Sequence, residues 1–298
     1  MRTILRRILC PTDLSPDSDR AVGYGIAVAR MYNAKFSVCH SMQPHEAAMS
    51  RRRVEEALED MIIRRIGSSN PADLDWEVMI AEGEAEVAIA REAAARSVDL
   101  IVLYSRRLQT ALSLGSTAEA LCRTAPCSVL VIPPMKPGVG RKSVNEIALE
   151  RVLVAHDFSG WSELALSYGL LLAEGCRAEL HLIHVLPPRA KSETPELAFL
   201  PLSVESGFHK SAALLQKAVP ARAHPLCEIK HEVREGPPYR EVLTYAEENE
   251  IDLICMGASG AGFGMRALFG SNADRVLRQA PCPVLIARPL KPACAAPN

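Results

Sequence analysis

The sequence has no excess of basic residues: 34 Lys and Arg stand against 35 Asp and Glu, a formal net charge of −1. Binding a nucleic-acid backbone calls for Lys and Arg concentrated on one face, so that class of function is disfavoured from the outset. The triplet Arg51, Arg52, Arg53 is too short for an RNA-binding patch, and Glu55, Glu56, Glu59 and Asp60 follow it in what reads as a mixed-charge, solvated helix from Glu46 to Ile66. An uncharged apolar run of about 18 residues is also missing, so no transmembrane helix is expected. The N-terminal stretch MRTILRRILCPTDLS is broken by Arg6, Arg7, Pro11 and Asp13 where a signal peptide needs an unbroken apolar segment. None of the nine cysteines forms a C-x2-C pair, and their number is odd. They read as reduced structural thiols. A G-x-S-x-G nucleophile elbow is absent, and His181 and His184, three apart on a strand, point to opposite faces and make a poor metal pair. A cytoplasmic protein without nucleic-acid or membrane partners is the expectation.

What is present is ample core material, 48% hydrophobic against 23% charged residues in 298, and a length that suits two domains better than one. The chain also repeats itself. The segment from Arg6 to Met42 matches that from Leu149 to Leu186 in its order of apolar run, acidic residue, helix and second apolar run. Asp13 faces Asp157 and His40 faces His184 at one offset, 144 residues. Further along, Gly83 faces Gly236 and Asp99 faces Asp252 at an offset of 153, and Gly115, Pro126 and Cys127 face Gly270, Pro281 and Cys282 at 155. Offsets that grow only in steps mean two copies of one fold separated by loop-length differences.

Each copy alternates strand and helix. In the first, ILRRILCPT suits a buried parallel strand. Ser15 and Pro16 read as the N-cap and first turn of the helix that follows. Then come strand KFSVCHSM, a helix, strand DWEVMIAEG, helix AEVAIAREAAARS, strand DLIVLYS, a loop, helix STAEALCRTA and strand SVLVIPP. This alternation implies right-handed βαβ crossovers and a parallel sheet covered on both faces. The stretch Pro133–Ser143 reads as a linker, giving domains 1–138 and 147–292, and the tail KPACAAPN has little reason to be ordered.

The second copy carries a glycine loop, Gly257-x2-Gly260-x9-Gly270-Ser271, directly after strand DLICM. Glycines at the carboxyl end of a parallel strand let backbone amides approach an anion, and Gly270-Ser271-Asn272 would open the next helix, whose N-terminus favours phosphate. The loop lacks the Lys of a Walker A motif and follows the fourth strand, not the first, so neither a P-loop NTPase nor a dinucleotide-dependent dehydrogenase is indicated.

At these residues the chain resembles the universal stress protein family in its tandem form, over both copies. The G-x2-G-x9-G-[S/T] spacing matches the family's ATP-binding pattern. The resemblance implies two copies of a five-stranded parallel-sheet α/β domain, Rossmann-like and of the adenine-nucleotide alpha-hydrolase-like type, in strand order 3-2-1-4-5. It places ATP, with Mg²⁺ as an optional companion, at the switch point of that order. Asp157 then stands near adenine and ribose, Val185 beside adenine and Ala155 on the same wall. Met256, Gly257 and Gly260 surround ribose and phosphates, and Gly270, Ser271 and Asn272 hold the phosphates. On the residues alone, Asp157 also reads as a helix-start charge, Val185 and Met256 as core, and His156 as either a titrating neighbour of the nucleotide or an ordinary strand-end histidine.

The first copy departs from the pattern. Tyr104 stands at the position of Gly257 and Arg107 at that of Gly260, and only Gly115, Ser116 and Thr117 survive. A degenerate site is expected there, with Arg106 and Arg107 either solvated or in contact with an anion. The last strands would be exposed edges if each domain stood alone, so the two copies are expected to pair through them as an intrachain pseudo-dimer, with a homodimer as a further option. The implied function is a stress-response regulator or sensor that hydrolyses ATP slowly at most, Asp157 and Arg266 being weak candidates for chemistry. A nucleotide-free interaction protein and a slow ATPase or nucleotidyl-transfer enzyme are the alternatives.

Overall fold

The computed structural model describes residues 5–42, 48–67, 74–105, 114–134, 149–188, 202–223, 227–260 and 269–290. The first copy runs β1 (Arg7–Pro11), α1 (Asp19–Tyr32), β2 (Lys35–Met42), α2 (Ala48–Ile66), β3 (Trp76–Glu82), α3 (Ala85–Ala95), β4 (Leu100–Tyr104), α4 (Ser116–Thr124) and β5 (Ser128–Ile132). The second runs β6 (Arg151–Ala155), α5 (Gly160–Cys176), β7 (Glu179–Leu186), α6 (Leu202–Ala218), β8 (Ile229–Glu235), α7 (Pro238–Glu248), β9 (Leu253–Gly257), α8 (Ser271–Gln279) and β10 (Val284–Ala287). Strand order is β3-β2-β1-β4-β5 in the first copy and β8-β7-β6-β9-β10 in the second, so each has the α/β 3-2-1-4-5 order. Pairing within the first five strands is parallel, as it is among β6, β7, β8 and β9.

By its contacts the chain forms two compact units, Met1–Ala148 with Pro283–Asn298, and Leu149–Cys282. The first unit takes β10 because that strand lies antiparallel on β5, with Val284 opposite Val131 and Ile286 opposite Val129. The pairing of the two last strands with each other, expected from their apolar edges, is therefore present. Every residue of β5 is buried. No described helix is long and apolar enough to cross a membrane.

The repeat extends to backbone detail. All six described non-glycine residues with positive φ fall into three matched pairs: Leu14 (60°) with Phe158 (62°), Asn33 (50°) with Arg177 (55°), and Ser97 (51°) with Glu250 (47°). Asp99 accepts the amides of Arg6 and Arg7 at 2.8 and 2.9 Å; Asp252 accepts those of Glu150 and Arg151 at 2.7 and 2.9 Å. The carboxylate before the fourth strand thus caps the start of the first strand in both copies.

One expectation is corrected. Helix α1 begins at Asp19, not at Pro16, and its opening turn is wound by i→i+3 bonds such as Arg20 N–H to the Asp17 carbonyl and Ala21 N–H to that of Ser18. Ser15 still accepts the Ser18 amide at 3.2 Å, as Ser159 accepts that of Ser162 at 3.3 Å, but only Ser159 is the N-cap of its helix. Described residues of α2 bear out the solvated reading, with Arg51 facing Glu55 and Glu82, and Arg52 facing Glu56; Glu46 lies outside the described residues.

Helices α1 and α5 each cross their sheet at a glycine. A Cβ on Gly25 would stand 2.6 Å from Phe36 Cε2, and one on Gly169 would stand 2.4 Å from Val154 Cγ2. Overpacking of this kind costs about 1–3 kcal/mol, whereas alanine gains at most about 1 kcal/mol in helix propensity over glycine. Gly169→Ala is therefore expected to lower stability, read as an earlier denaturation midpoint with unchanged far-ultraviolet circular dichroism.

Candidate functional site

In the second copy, β6 ends at Ala155 and the chain turns through His156, Asp157, Phe158 and Ser159 into α5. The turn is held by side chains. Asp157 Oδ1 accepts the Ser159 amide at 3.1 Å and the Ser159 hydroxyl at 2.5 Å, and the His156 carbonyl takes the Nδ1 atom of His184 at 2.8 Å. The His156 ring is buried at 3% exposure. Its Nδ1 accepts the Phe158 amide at 3.2 Å, and its Nε2 lies 3.5 Å from Glu163 Oε1. Burial pushes this imidazole below its ordinary value near 6.5, against the pull of Glu163 and Asp157 in the other direction. The ring is neutral near pH 7, with its proton on Nε2.

The glycines at the end of β9 and beyond it are not interchangeable. A Cβ on Gly257 would lie 2.7 Å from Trp161 Cβ and 2.9 Å from the Trp161 carbonyl carbon. This glycine is demanded by the close approach of α5, a reason the spacing motif does not contain. On Gly260 a Cβ would meet Asp157 Oδ2 at 2.6 Å, so the loop backbone lies directly against the carboxylate, whereas Gly270 has ordinary room, 3.5 Å to the nearest atom. The Gly270 amide bonds the Ala258 carbonyl at 2.8 Å, and Gly270 is the N-cap of α8, leaving the first-turn amides of Ser271 and Asn272 without partners inside the helix. Arg266 lies outside the described residues.

These pieces enclose a cavity of about 510 Å³. All nine candidate residues line it: Ala155, Asp157, Val185, Met256, Gly257, Gly260, Gly270, Ser271 and Asn272. So do His156 and His184, Ile183 from β7, Ser162, Ser259, and Pro238, Tyr239 and Val242 from α7. The α7 wall was missed in the sequence. Its signal is there in Gly236-Pro237-Pro238, which starts a helix just past the third strand, with Val242 one turn further on the same face.

The matching cavity of the first copy holds about 300 Å³ and is lined by Asp13, Thr12, His40, Ser41, Tyr104, Gly115, Ser116 and Thr117 among others. Ser41 occupies the place of Val185 and donates to the Gly83 carbonyl at 2.6 Å. Tyr104 stands where the second copy has Gly257, and Asp17, at the position of Trp161, lies ahead of its helix, since α1 begins only at Asp19 whereas α5 begins at Gly160. Arg106 and Arg107 lie outside the described residues. Among the described residues no three or more His, Cys, Asp or Glu side chains cluster as a metal site would require, and His181 is engaged with Tyr245 at 2.8 Å.

Comparison with known proteins follows the repeat. The family model described as Universal stress protein family matches residues 5–133 and 148–288. A universal stress protein of Methanocaldococcus jannaschii is 29% identical over 144 residues, covering 48% of this chain and 85% of that protein. The universal stress protein E homolog of Haemophilus influenzae is 27% identical over 235 residues, covering 75% of this chain and 72% of its own length. Among solved structures, a universal stress protein from Archaeoglobus fulgidus shares the fold over 95% of this chain and 98% of its own, with a TM-score of 0.62 at 23% identity.

The Gly257 contact carries a test. Gly257→Ala is expected to cost about 1–3 kcal/mol and to shift Trp161 fluorescence. Trp161→Ala should fail to rescue it, because the contacts are to the Cβ and main chain that alanine keeps. A full rescue in a double-mutant cycle would show that the indole, and not the α5 backbone, sets the limit.

Proposed function

The chain belongs to the universal stress protein family, and from that premise we propose that its second copy binds ATP or another adenine nucleotide and serves as a cytoplasmic stress-response regulator or sensor. The observation that carries this reading is the convergence of nine residues, drawn from the ends of β6, β7 and β9 and from the start of α8, on one cavity of about 510 Å³. That volume lies within the range of about 300–1,000 Å³ usual for small-ligand sites. Its chemistry is divided as a nucleotide requires. Ala155, Val185, Met256 and Val242 offer an apolar wall for a base. Asp157 offers a carboxylate for ribose hydroxyls. The helix start at Gly270, Ser271 and Asn272 offers amides and a positive dipole end to phosphates.

Mg²⁺ would accompany the phosphates; when bound, it neutralises part of their charge. The described lining of the cavity contains neither Lys nor Arg, so the reading is one of binding, with slow turnover at most. The first copy, with the smaller cavity and Tyr104 in place of a loop glycine, is read as a degenerate site. Pairing of whole chains into a homodimer is part of the same reading.

The test is to denature the purified protein, identify any released nucleotide, and measure ATP affinity for wild type and Gly260→Arg. Because a side chain at that position enters the space of Asp157 Oδ2, the variant is expected to lose at least about a hundredfold in affinity, roughly 2.7 kcal/mol, while retaining its circular dichroism. No released nucleotide and no measurable affinity would leave a nucleotide-free interaction protein. Fast turnover abolished by Asp157→Asn would make the protein an enzyme.

A further inference from the structure

The two copies build the same turn after their first strand with different acceptors. Residues Leu14 and Phe158 hold the left-handed conformation, at 60° and 62°, which is unfavourable for a non-glycine residue and must be held by its surroundings. In the first copy the Leu14 amide donates to Thr12 Oγ1 at 3.0 Å, and that hydroxyl also meets Ser18 Oγ at 2.7 Å. A hydroxyl accepts at any pH. In the second copy the Phe158 amide donates to His156 Nδ1 at 3.2 Å. An imidazole nitrogen accepts only while it carries no proton.

We propose that His156 is a positioning residue that makes the nucleotide site of the second copy sensitive to mild acid: the neutral ring holds the turn bearing Asp157, and the protonated ring releases it. A proton on Nδ1 would set two donors head to head in a buried place, where no water replaces the lost partner. The consequence would not stay local. The Phe158 ring lies between two imidazoles, 5.2 Å from His156 edge-on and 4.5 Å from His184. Asp157, between the two bonded residues, stands against Gly260 in the glycine loop.

The groups facing the ring set where the switch lies. Glu163 of α5 is 3.5 Å from Nε2 and favours the charged form, as does Asp157, while His184 of β7 opposes it. Burial outweighs them and lowers the value. The unfolded chain therefore takes up the proton before the folded one, so the contribution of the neutral ring to stability is complete above about pH 6.5 and is lost as pH falls through the lowered value. His181, lowered by its own burial, adds to any stability curve, so the turn needs a reporter of its own. With Trp76→Phe, Trp161 at the start of α5 is the remaining tryptophan.

In functional terms the inference rests on the nucleotide reading, but the turn can be followed without any ligand. Trp161 emission and ATP affinity would be recorded from about pH 8 to about pH 5, the span in which a histidine titrates. Wild type is expected to show an emission transition with a midpoint below 6.5 and a loss of affinity of about tenfold across it. His156→Thr, which transplants the Thr12 arrangement, should flatten both curves. Glu163→Gln should move the midpoint further down, since the charged ring loses its nearest anion. Should His156→Thr fold poorly, His156→Asn supplies a non-titrating amide acceptor, and the imidazole carbon shifts of labelled wild type report the proton directly. Identical profiles for wild type and either substitution would overturn the proposal, as would a midpoint that Glu163→Gln leaves in place. If no variant binds ATP at any pH while the emission transition follows His156, the nucleotide reading fails and the switch stands.

Discussion

The structure depends on the reversal of strand order beside β1 and β6. From each, the chain winds outward through two strands and then returns to the other side, so the strands flanking the first are reached in opposite directions. Right-handed crossovers put the outgoing and returning helices on opposite faces of the sheet, and the carboxyl ends of β6 and β9, where the two directions part, line the cavity. In the second copy α7 and α8 pack against each other, while α5 lies against β6 and β9. The cavity is the space these packings leave. Its polar contents follow from what an exposed strand end must do anyway: turn, cap a helix and satisfy its own amides.

The first copy works as an internal control, because its backbone is held by the same devices. Matched left-handed residues, matched aspartates at the strand starts and matched glycines under α1 and α5 occur in both. What differs is side chains on that shared frame. Thr12, Leu14, Asp17, Ser41 and Tyr104 stand where the second copy has His156, Phe158, Trp161, Val185 and Gly257. The two cavities, about 300 and 510 Å³, thus differ through a few side chains and loop length, not through architecture.

Some of this could be read in advance. Asp157, the Gly257-Gly260 spacing and the Gly270 helix start were legible because each belongs to a short segment whose geometry is local: a strand end, a tight loop, a cap. Tyr239 and Val242 were not, because a helix face shows its apolar spacing but not which neighbour it will face. A packing demand on Gly257 was not legible for a related reason. The motif suggests room for an anion, whereas the atoms that exclude a Cβ belong to Trp161, 96 residues earlier in the chain. Helix α1 began later than its cap residues suggested, since a serine bond of the capping kind forms equally well over a turn wound by i→i+3 bonds.

By itself the sequence determined the two copies, the alternation of strands and helices, the strand order through resemblance, and the inequality of the two glycine loops. All of these are patterns of residue type along the chain, and hydrophobic period and repeat offset register them directly. Only the tertiary structure decided why Gly25, Gly169 and Gly257 bear no side chain, and that the His156 ring is buried and accepts the Phe158 amide. Those outcomes turn on distances of a few ångströms between residues far apart in the chain, and on how much water is left around an imidazole. No local pattern encodes either.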